Sequence, residues 1–197
     1  MPQAPSRFLS TQDRLKHGCE RERQIADALR DQIGLPICDA SQFEDFEKKI
    51  DRWIVYPDKR IGLQIKYRET GEDLLFEVFD RFFDWDHVNN KIGRDMIGSP
   101  DAYAVLLSDR KTVVIVPTQM AKDAITILEH GARVRWTVKT DRVSTFRHFI
   151  NGSRLELKVQ PDPFDHRKKM IAYIPADFFV KEKQAETYRL LLPKNWK

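Results

Sequence analysis

Four side chains whose types suit metal-assisted chemistry occur at spacings that would let them meet. Asp51 lies thirteen residues before Gln64, and Lys66 follows Gln64 by two positions. Glu22 lies upstream, on a segment with helical periodicity. A hard divalent cation prefers oxygen ligands, which the Asp51 carboxylate and the side-chain carbonyl of Gln64 can supply. The group therefore predicts a cation site with a lysine beside it.

This set contains the components that phosphodiester hydrolysis needs. The main-chain carbonyl of Ile65 would join Asp51 and Gln64 as a ligand, and water molecules would complete the octahedron. A bound cation polarises a phosphate and lowers the pKa of a coordinated water. Lys66 would orient that water and offset the charge that develops on the phosphate. Glu22 would bind the ion through water or hold a second one.

A β-hairpin would position these groups. Residues 50–56 and 61–68 have the composition of strands, with turn-forming residues between them. If the hairpin turns about residues 58–59, cross-strand partners have numbers that sum to about 117. This register places Asp51 opposite Lys66.

The same register separates a polar face from an apolar face. Trp53 would lie opposite Gln64, and because residues two apart share a face, Asp51, Gln64 and Lys66 would project to one side. The other face would carry the apolar residues Ile54, Tyr56, Ile61, Leu63, Ile65 and Tyr67. That face predicts a core surface.

The remaining elements are read from periodicity and from turn residues. A helix capped by Ser10 or Thr11 is expected to run to about Asp31. Its buried stripe would contain Leu15, Cys19, Glu22, Ala26, Leu29 and Ile33. Further strands are expected at 74–79, continuing the meander, and at 102–107, 112–116, 133–139, 155–159 and 170–174, with helices at 84–96 and from 118 to about 129. This order predicts a mixed α/β fold.

The motif residues resemble those of a known superfamily. Asp51 followed by Gln64-Ile65-Lys66 is similar to the signature of the PD-(D/E)XK nucleases. The segment GCERERQIADAL (residues 18–29), in which Glu22 is followed at +3, +4 and +7 by small or apolar residues, resembles their first-helix motif. The resemblance covers about 18–116. It implies Mg²⁺ as the cofactor, with Mn²⁺ able to substitute, and the catalytic set Glu22, Asp51, Gln64 and Lys66.

Two departures and one ambiguity accompany the resemblance. The acidic residue that usually precedes x-Lys is replaced by Gln64, so a side-chain amide oxygen must serve as the ligand. The dipeptide Pro57-Asp58 matches the literal PD better than Ile50-Asp51, but Asp58 would lie in the turn, far from Lys66. Glu20 is an alternative to Glu22, although it points away from the apolar stripe.

The order of the elements, together with the resemblance for the core, predicts a domain organisation. We expect a flexible N-terminal arm at 1–10, a restriction-endonuclease-like core at 11–132, with a mixed β-sheet flanked by helices, and a β-rich C-terminal extension at 133–197. The extension is expected to pack on the same domain and to contact DNA.

Composition limits the possible classes. Hydrophobic residues make up 41% and charged residues 32%, which suits a globular fold, and the formal net charge is +4. Two cysteines without metal-ligand spacing indicate neither a disulfide framework nor a zinc site. No signal peptide and no long apolar segment is evident, so a cytoplasmic or nucleoid-associated location without membrane insertion is expected.

DNA is the expected partner, and two basic regions are the candidate contacts. Asn89, Lys91 and Arg94 follow the motif strands, and Arg133, Arg135 and Lys139 surround Trp136. The expected activity is endonucleolytic, of restriction, homing or junction-resolving type, in a homodimer or homotetramer because duplex cleavage needs two sites. The alternatives are a non-catalytic nucleic-acid-binding module and, less favoured, an exonuclease or RNA-directed nuclease.

Overall fold

The computed structural model describes residues 11–68, 70–82, 100–132, 143–161 and 168–192. Helices and strands both occur along these ranges, and one sheet has both parallel and antiparallel pairs, so the mixed α/β class is confirmed. In chain order the elements are α1 (Thr11–Ile33), β1 (Ile37–Asp39), α2 (Gln42–Lys48), β2 (Arg52–Val55), β3 (Arg60–Tyr67), β4 (Asp73–Phe82), β5 (Ala102–Leu106), β6 (Thr112–Pro117), α3 (Thr118–Gly131), β7 (Ser144–Ile150), β8 (Ser153–Pro161), β9 (Lys168–Pro175), a π-helix (Phe178–Glu182) and β10 (Glu186–Arg189).

The larger sheet is mixed and contains the predicted hairpin. Its six strands are ordered β1-β2-β3-β5-β6-β10. β3 and β5 pair in parallel, and the other neighbours are antiparallel. Every residue of β5 is buried, which is typical of a strand that is covered on both faces. The hairpin strand β3 therefore lies beside the most protected strand of the sheet.

The second sheet corrects the predicted course of the chain after β3. β4 does not continue the meander; it joins an antiparallel sheet ordered β4-β9-β8-β7. β5 occupies the edge of β3 that a third meander strand would have used. The apolar side chains Leu74, Phe76 and Val78 of β4 are instead buried in a core that is shared with β8 and β9.

The hairpin register differs from the predicted one by two residues. Arg52 pairs with Leu63 and Ile54 with Ile61, so partner numbers sum to 115. The N–H of Tyr56 donates to the Lys59 carbonyl at 2.9 Å, which leaves Pro57 and Asp58 as the loop. A proline presets the backbone angle of a first turn position, which explains why the turn lies one residue earlier than predicted.

A shift of two residues leaves the two faces of the hairpin unchanged, because side chains alternate with a period of two. The predicted pairs of Asp51 with Lys66 and of Trp53 with Gln64 are wrong. Trp53 pairs with Gly62, and the Asp51 N–H donates to the Leu63 carbonyl at 2.8 Å. The predicted apolar face is confirmed as a core surface.

Two apolar cores lie on opposite faces of the six-stranded sheet. On one face α1 packs against β3, and Ile25 and Leu29 contact the cluster that contains Leu63 and Ile65. On the other face α3 and the four-stranded sheet enclose a second cluster, in which the largest buried side chains are Phe76, Phe178 and Phe179. The six-stranded sheet therefore separates α1 from the β4–β9 sheet.

Several predicted elements are confirmed and others were missed. α1, β5, β6, α3, β8 and β9 lie where composition indicated them, whereas β1, α2, β7, the π-helix and β10 were not predicted. The predicted stripe on α1 is too long: Cys19 is exposed, and among the described side chains of this helix burial begins at Ile25. The predicted arm at 1–10, helix at 84–96 and strand at 133–139 lie outside the described residues.

Candidate active site

Asp51 is anchored against the middle of β3. It lies immediately before β2 and is only 9% exposed. Its Oδ2 accepts a hydrogen bond from the Ile65 N–H at 2.6 Å. The pairing of β2 with β3 begins at Arg52, which lies opposite Leu63. Beyond that pair, the Asp51 carboxylate takes the Ile65 N–H that main-chain pairing would otherwise use.

The position of Ile65 makes its carbonyl available on the same side. The N–H and C=O groups of a strand residue point to the same edge of the strand, as they do in a hydrogen-bonded antiparallel pair. Since the Ile65 N–H points to Asp51, the Ile65 carbonyl faces that side as well. The Asp51 carboxylate and the Ile65 carbonyl therefore lie on the same side of β3, next to the first residue of β2.

Burial sets the ionisation of Asp51. It raises the pKa of this carboxyl from 3.8 to about 7, while the hydrogen bond from Ile65 acts in the opposite direction. The negative charge of Glu22 raises the pKa further and the positive charge of Lys66 lowers it. These influences place Glu22 and Lys66 in the electrostatic neighbourhood of Asp51.

Glu22 reaches this neighbourhood from α1. The helix packs on the apolar face of β3, where the Arg21 guanidinium also lies over the Tyr67 ring at 5.0 Å from its centroid. Burial raises the pKa of Glu22, and the charges of Lys66 and Arg52 oppose that rise. Glu22, Asp51 and Lys66 thus interact although they come from a helix, a loop and a strand.

Gln64 and Lys66 lie on the opposite face of β3 and line a pocket of about 220 Å³. The polar walls of this pocket also include Lys49 and Arg68. Its apolar floor is formed by Leu75 of β4, Tyr103 and Val105 of β5, and Ile171 of β9. We call this space the β3 pocket.

The acidic content of the site is low. In the ranges that the structure describes, no three acidic, histidine or cysteine side chains form a group that could hold a metal ion. The predicted ligand set has only two carboxylates, Glu22 and Asp51. It relies on Gln64 and on the Ile65 carbonyl for its neutral oxygens.

The alternative acids have other environments. Asp58 is exposed in the hairpin loop, at the far end of β3 from Lys66. Glu20 is exposed and accepts from Arg23 at 2.8 Å and from Gln24 at 2.8 Å. The Arg23 hydrogen bond is the main reason that the pKa of Glu20 is lowered. Neither acid lies in the neighbourhood of Asp51.

The structure does not describe the residues that were predicted to contact DNA. Asn89, Lys91, Arg94, Arg133, Arg135 and Lys139 all lie outside the described residues.

Three basic residues near the site were missed from the sequence. Arg68 continues the period-two series of Gln64 and Lys66, a signal that the sequence carried. Lys49 is the left-handed C-cap of α2, with φ of 56°, two residues before Asp51. Arg52 donates to the Asp51 carbonyl at 2.7 Å and pairs with Asp39 at 3.1 Å.

The signal for α2 was also present in the sequence. Ser41 and Glu44 form a capping box, in which the Glu44 N–H donates to the Ser41 hydroxyl at 3.2 Å and the Ser41 N–H donates to the Glu44 carboxylate at 2.9 Å. This short helix places Lys49 and Asp51 just before the first residue of β2.

Comparisons with known proteins identify no relative of this chain. No protein-family model matches the chain, and neither do any curated protein or any solved structure. Within the described part of the chain, no helix combines the length and the apolar composition that crossing a membrane requires.

Proposed function

We propose that the protein is a metal-dependent DNA endonuclease of the PD-(D/E)XK type, which hydrolyses phosphodiester bonds at a specific sequence or at a junction. The observation that supports this most is the position of Asp51. Its carboxylate is held by the Ile65 N–H beside the Ile65 carbonyl, and the charges of Glu22 and Lys66 act on it. This combination of groups suits a reaction at a phosphate.

Mg²⁺ fits the donor atoms of this site. Asp51, the Ile65 carbonyl and Gln64 would hold the ion, and Glu22 would bind it through water. Two carboxylates that burial disfavours as anions, Asp51 and Glu22, would gain the countercharge that they lack. When bound, the cation polarises the phosphate and makes a coordinated water a better nucleophile.

The chain's own residues supply orientation and charge. The hydrogen bond from Ile65 fixes the direction of the Asp51 carboxylate before any ligand arrives. Lys66 is exposed and lies beside Gln64 in the β3 pocket, so its ammonium can donate to a phosphate oxygen. There it would offset the negative charge that develops during hydrolysis.

A second function is favoured by one observation. The site has two carboxylates where the superfamily pattern would supply three acids, because Gln64 replaces the third. A non-catalytic nucleic-acid-binding module could keep the fold and the basic pocket without the metal. It would bind DNA and cut none.

A cleavage assay separates the two functions. Supercoiled plasmid, linear duplex, four-way junction and single-stranded DNA are each incubated with the chain in Mg²⁺ or EDTA. We expect Mg²⁺-dependent cleavage of at least one substrate, reduced ~10²-fold or more in Lys66→Ala and Asp51→Ala. Lys59→Ala and Asp58→Ala are the matched controls, since both positions are exposed at the other end of the hairpin.

Each outcome decides a point. Binding without cleavage of any of the four substrates would establish the non-catalytic module. Normal cleavage by Asp51→Ala together with loss in Asp58→Ala would show that the wrong aspartate has been assigned. Equal losses in Lys66→Ala and Lys59→Ala would remove the specific role of Lys66.

A further inference from the structure

The β3 pocket gathers more positive charge than a single catalytic lysine requires. Lys66 of β3 and Arg68, the residue that follows β3, both line it, and Lys49 lines it from the end of α2. No carboxylate is present among the described residues that line it. Three cations around one concavity create a site for an anion.

The guanidinium group of Arg68 has one donor that makes no hydrogen bond to the described residues. Its Nε atom is buried and has no hydrogen-bond partner within the described ranges. Leaving a buried donor of a charged group unpaired is costly, so native structures usually satisfy such atoms with a ligand or with water. Arg68, which lines the pocket, therefore carries a buried donor that the described residues leave unsatisfied.

The walls of the pocket favour a fixed geometry. Tyr103 and Val105 in its floor are buried core residues of β5, and the Tyr103 ring meets Phe76 edge to face at 5.1 Å. A rigid apolar floor lowers the local dielectric and strengthens the attraction between the basic groups and an anion. A volume of about 220 Å³ accommodates a phosphate group but not a duplex.

We propose that Arg68 and Lys49 bind the backbone phosphate adjacent to the one that Lys66 contacts. Arginine and lysine are the side chains that recognise phosphate oxygens. Lys66 and Arg68 are two residues apart, and the Arg68 N–H still donates to the Leu106 carbonyl of β5. In extended backbone this places them ~6.6 Å apart, a separation comparable to that of successive phosphates in a nucleic-acid strand. This inference rests on the proposed function, because it takes Lys66 to mark the reacting phosphate.

The test measures DNA binding by the full chain in EDTA, where no cleavage takes place. The affinity for a short fluorescein-labelled duplex is determined by anisotropy at several salt concentrations. Arg68→Gln is expected to weaken binding about tenfold and to reduce the slope of log affinity against log salt by roughly one. Lys49→Asn should act in the same way, since asparagine tolerates the left-handed conformation of this cap. Arg68→Lys should restore the slope.

The control is Lys59→Gln, which removes an exposed positive charge at the opposite end of β3 and should leave affinity and slope unchanged. If Arg68→Gln and Lys49→Asn both keep the wild-type affinity and slope, the pocket proposal is overturned, even when wild type cleaves DNA. Absence of DNA binding by wild type would also overturn it. If wild type binds without cutting and the variants lose the slope, the endonuclease proposal fails and the phosphate site stands.

A last arm identifies the source of the phosphate. Inorganic phosphate is titrated against wild type and Arg68→Gln at constant ionic strength, with thermal unfolding as the readout. A large phosphate-dependent stabilisation of wild type, together with unchanged DNA binding by Arg68→Gln, would mean that the pocket takes a small free anion. That result would overturn the assignment to a nucleic-acid strand.

Discussion

A single hydrogen bond between a side chain and a strand gives the candidate site its geometry. Asp51 binds the Ile65 N–H through Oδ2, so the carboxylate is fixed relative to the main chain of β3 rather than to another side chain. Substitutions of Gln64 or Lys66 should therefore leave Asp51 in place. Each of these residues can be tested separately for its part in the chemistry.

The ionisation of Asp51 predicts a pH dependence of stability. Its pKa is about 7 in the folded chain and has the ordinary value of 3.8 when the chain unfolds. Protonation therefore favours the folded state, and this stability, complete below pH 3.8, is lost as the pH rises through 7. In EDTA, the unfolding free energy of wild type should fall over this range relative to Asp51→Asn, by denaturant titration.

Asp58→Asn is the matched control, because it removes an exposed carboxylate at the other end of the hairpin. Parallel stability curves for wild type and Asp51→Asn between pH 4 and pH 8 would show that folding does not raise the pKa of Asp51.

The amide at position 64 predicts a change in metal dependence. Gln64→Glu should keep or raise the cleavage rate, because a carboxylate of the same shape is a stronger ligand for a hard cation. Gln64→Ala should raise the Mg²⁺ concentration needed for half-maximal rate. The measurement is the cleavage rate across a Mg²⁺ titration, and an unaltered titration in Gln64→Ala would exclude Gln64 as a ligand.

Between elements, α3 and β7 make a close contact at Gly131. A methyl group on Gly131 would overlap the imidazole ring of His148. Glycine at this position therefore lets α3 approach the four-stranded sheet. A methyl group on Gly18, within α1, would have no atom of the described residues within 4 Å, so Gly18 provides the contrasting case.

Replacing Gly131 with alanine should destabilise the protein by about 1–3 kcal/mol, because the added methyl group overpacks the contact. Gly18→Ala should instead stabilise by about 0.5–1 kcal/mol through helix propensity. The double variant Gly131→Ala/His148→Ala should be no less stable than His148→Ala alone. Additive losses in a double-mutant cycle would contradict the contact.

Local signals allowed most elements near the site to be predicted, whereas long-range pairing was not predictable. The apolar alternation of Leu63 and Ile65 identified the core face of the hairpin even though the register was wrong, because a two-residue error keeps the faces. β4 shows the limit, since its alternation of Leu74, Phe76 and Val78 fits either sheet. Only pairing with β9, distant in sequence, decides between them.

The periodicity of the first helix predicted that Glu22 lies near Asp51, but not the side of the sheet from which it does so. The sequence placed Glu22 on the buried stripe of its helix but did not indicate which face of the hairpin that helix covers. α1 packs on the apolar face, while Gln64 and Lys66 point to the other side of the sheet. Which face a helix covers depends on the whole core, and the periodicity of one segment does not contain that information.

At the scale of the whole molecule, the N-terminal and C-terminal halves share one of the two apolar cores. Residues of β4 and β5 are buried in the same cluster as residues of β8 and β9. We therefore expect a chain that ends at residue 142 to lose cooperative thermal unfolding and to aggregate, because the apolar face of β4 would be exposed. Circular dichroism and size-exclusion chromatography test this. A sharp transition and a monodisperse peak would mean that residues 1–142 fold without β7, β8 and β9.

The pairing of β4 with β9 also has a consequence during synthesis. Asp73 pairs with Pro175, so about 100 residues separate the two strands. At roughly 5–20 residues per second, a ribosome needs about 5–20 s to deliver β9 after β4 has emerged. For that interval the apolar side of β4 lacks its final partner, and a nascent strand in that state is open to pairing with neighbouring chains. Production of this protein should therefore depend on elongation rate and on chaperones that shield emerging strands.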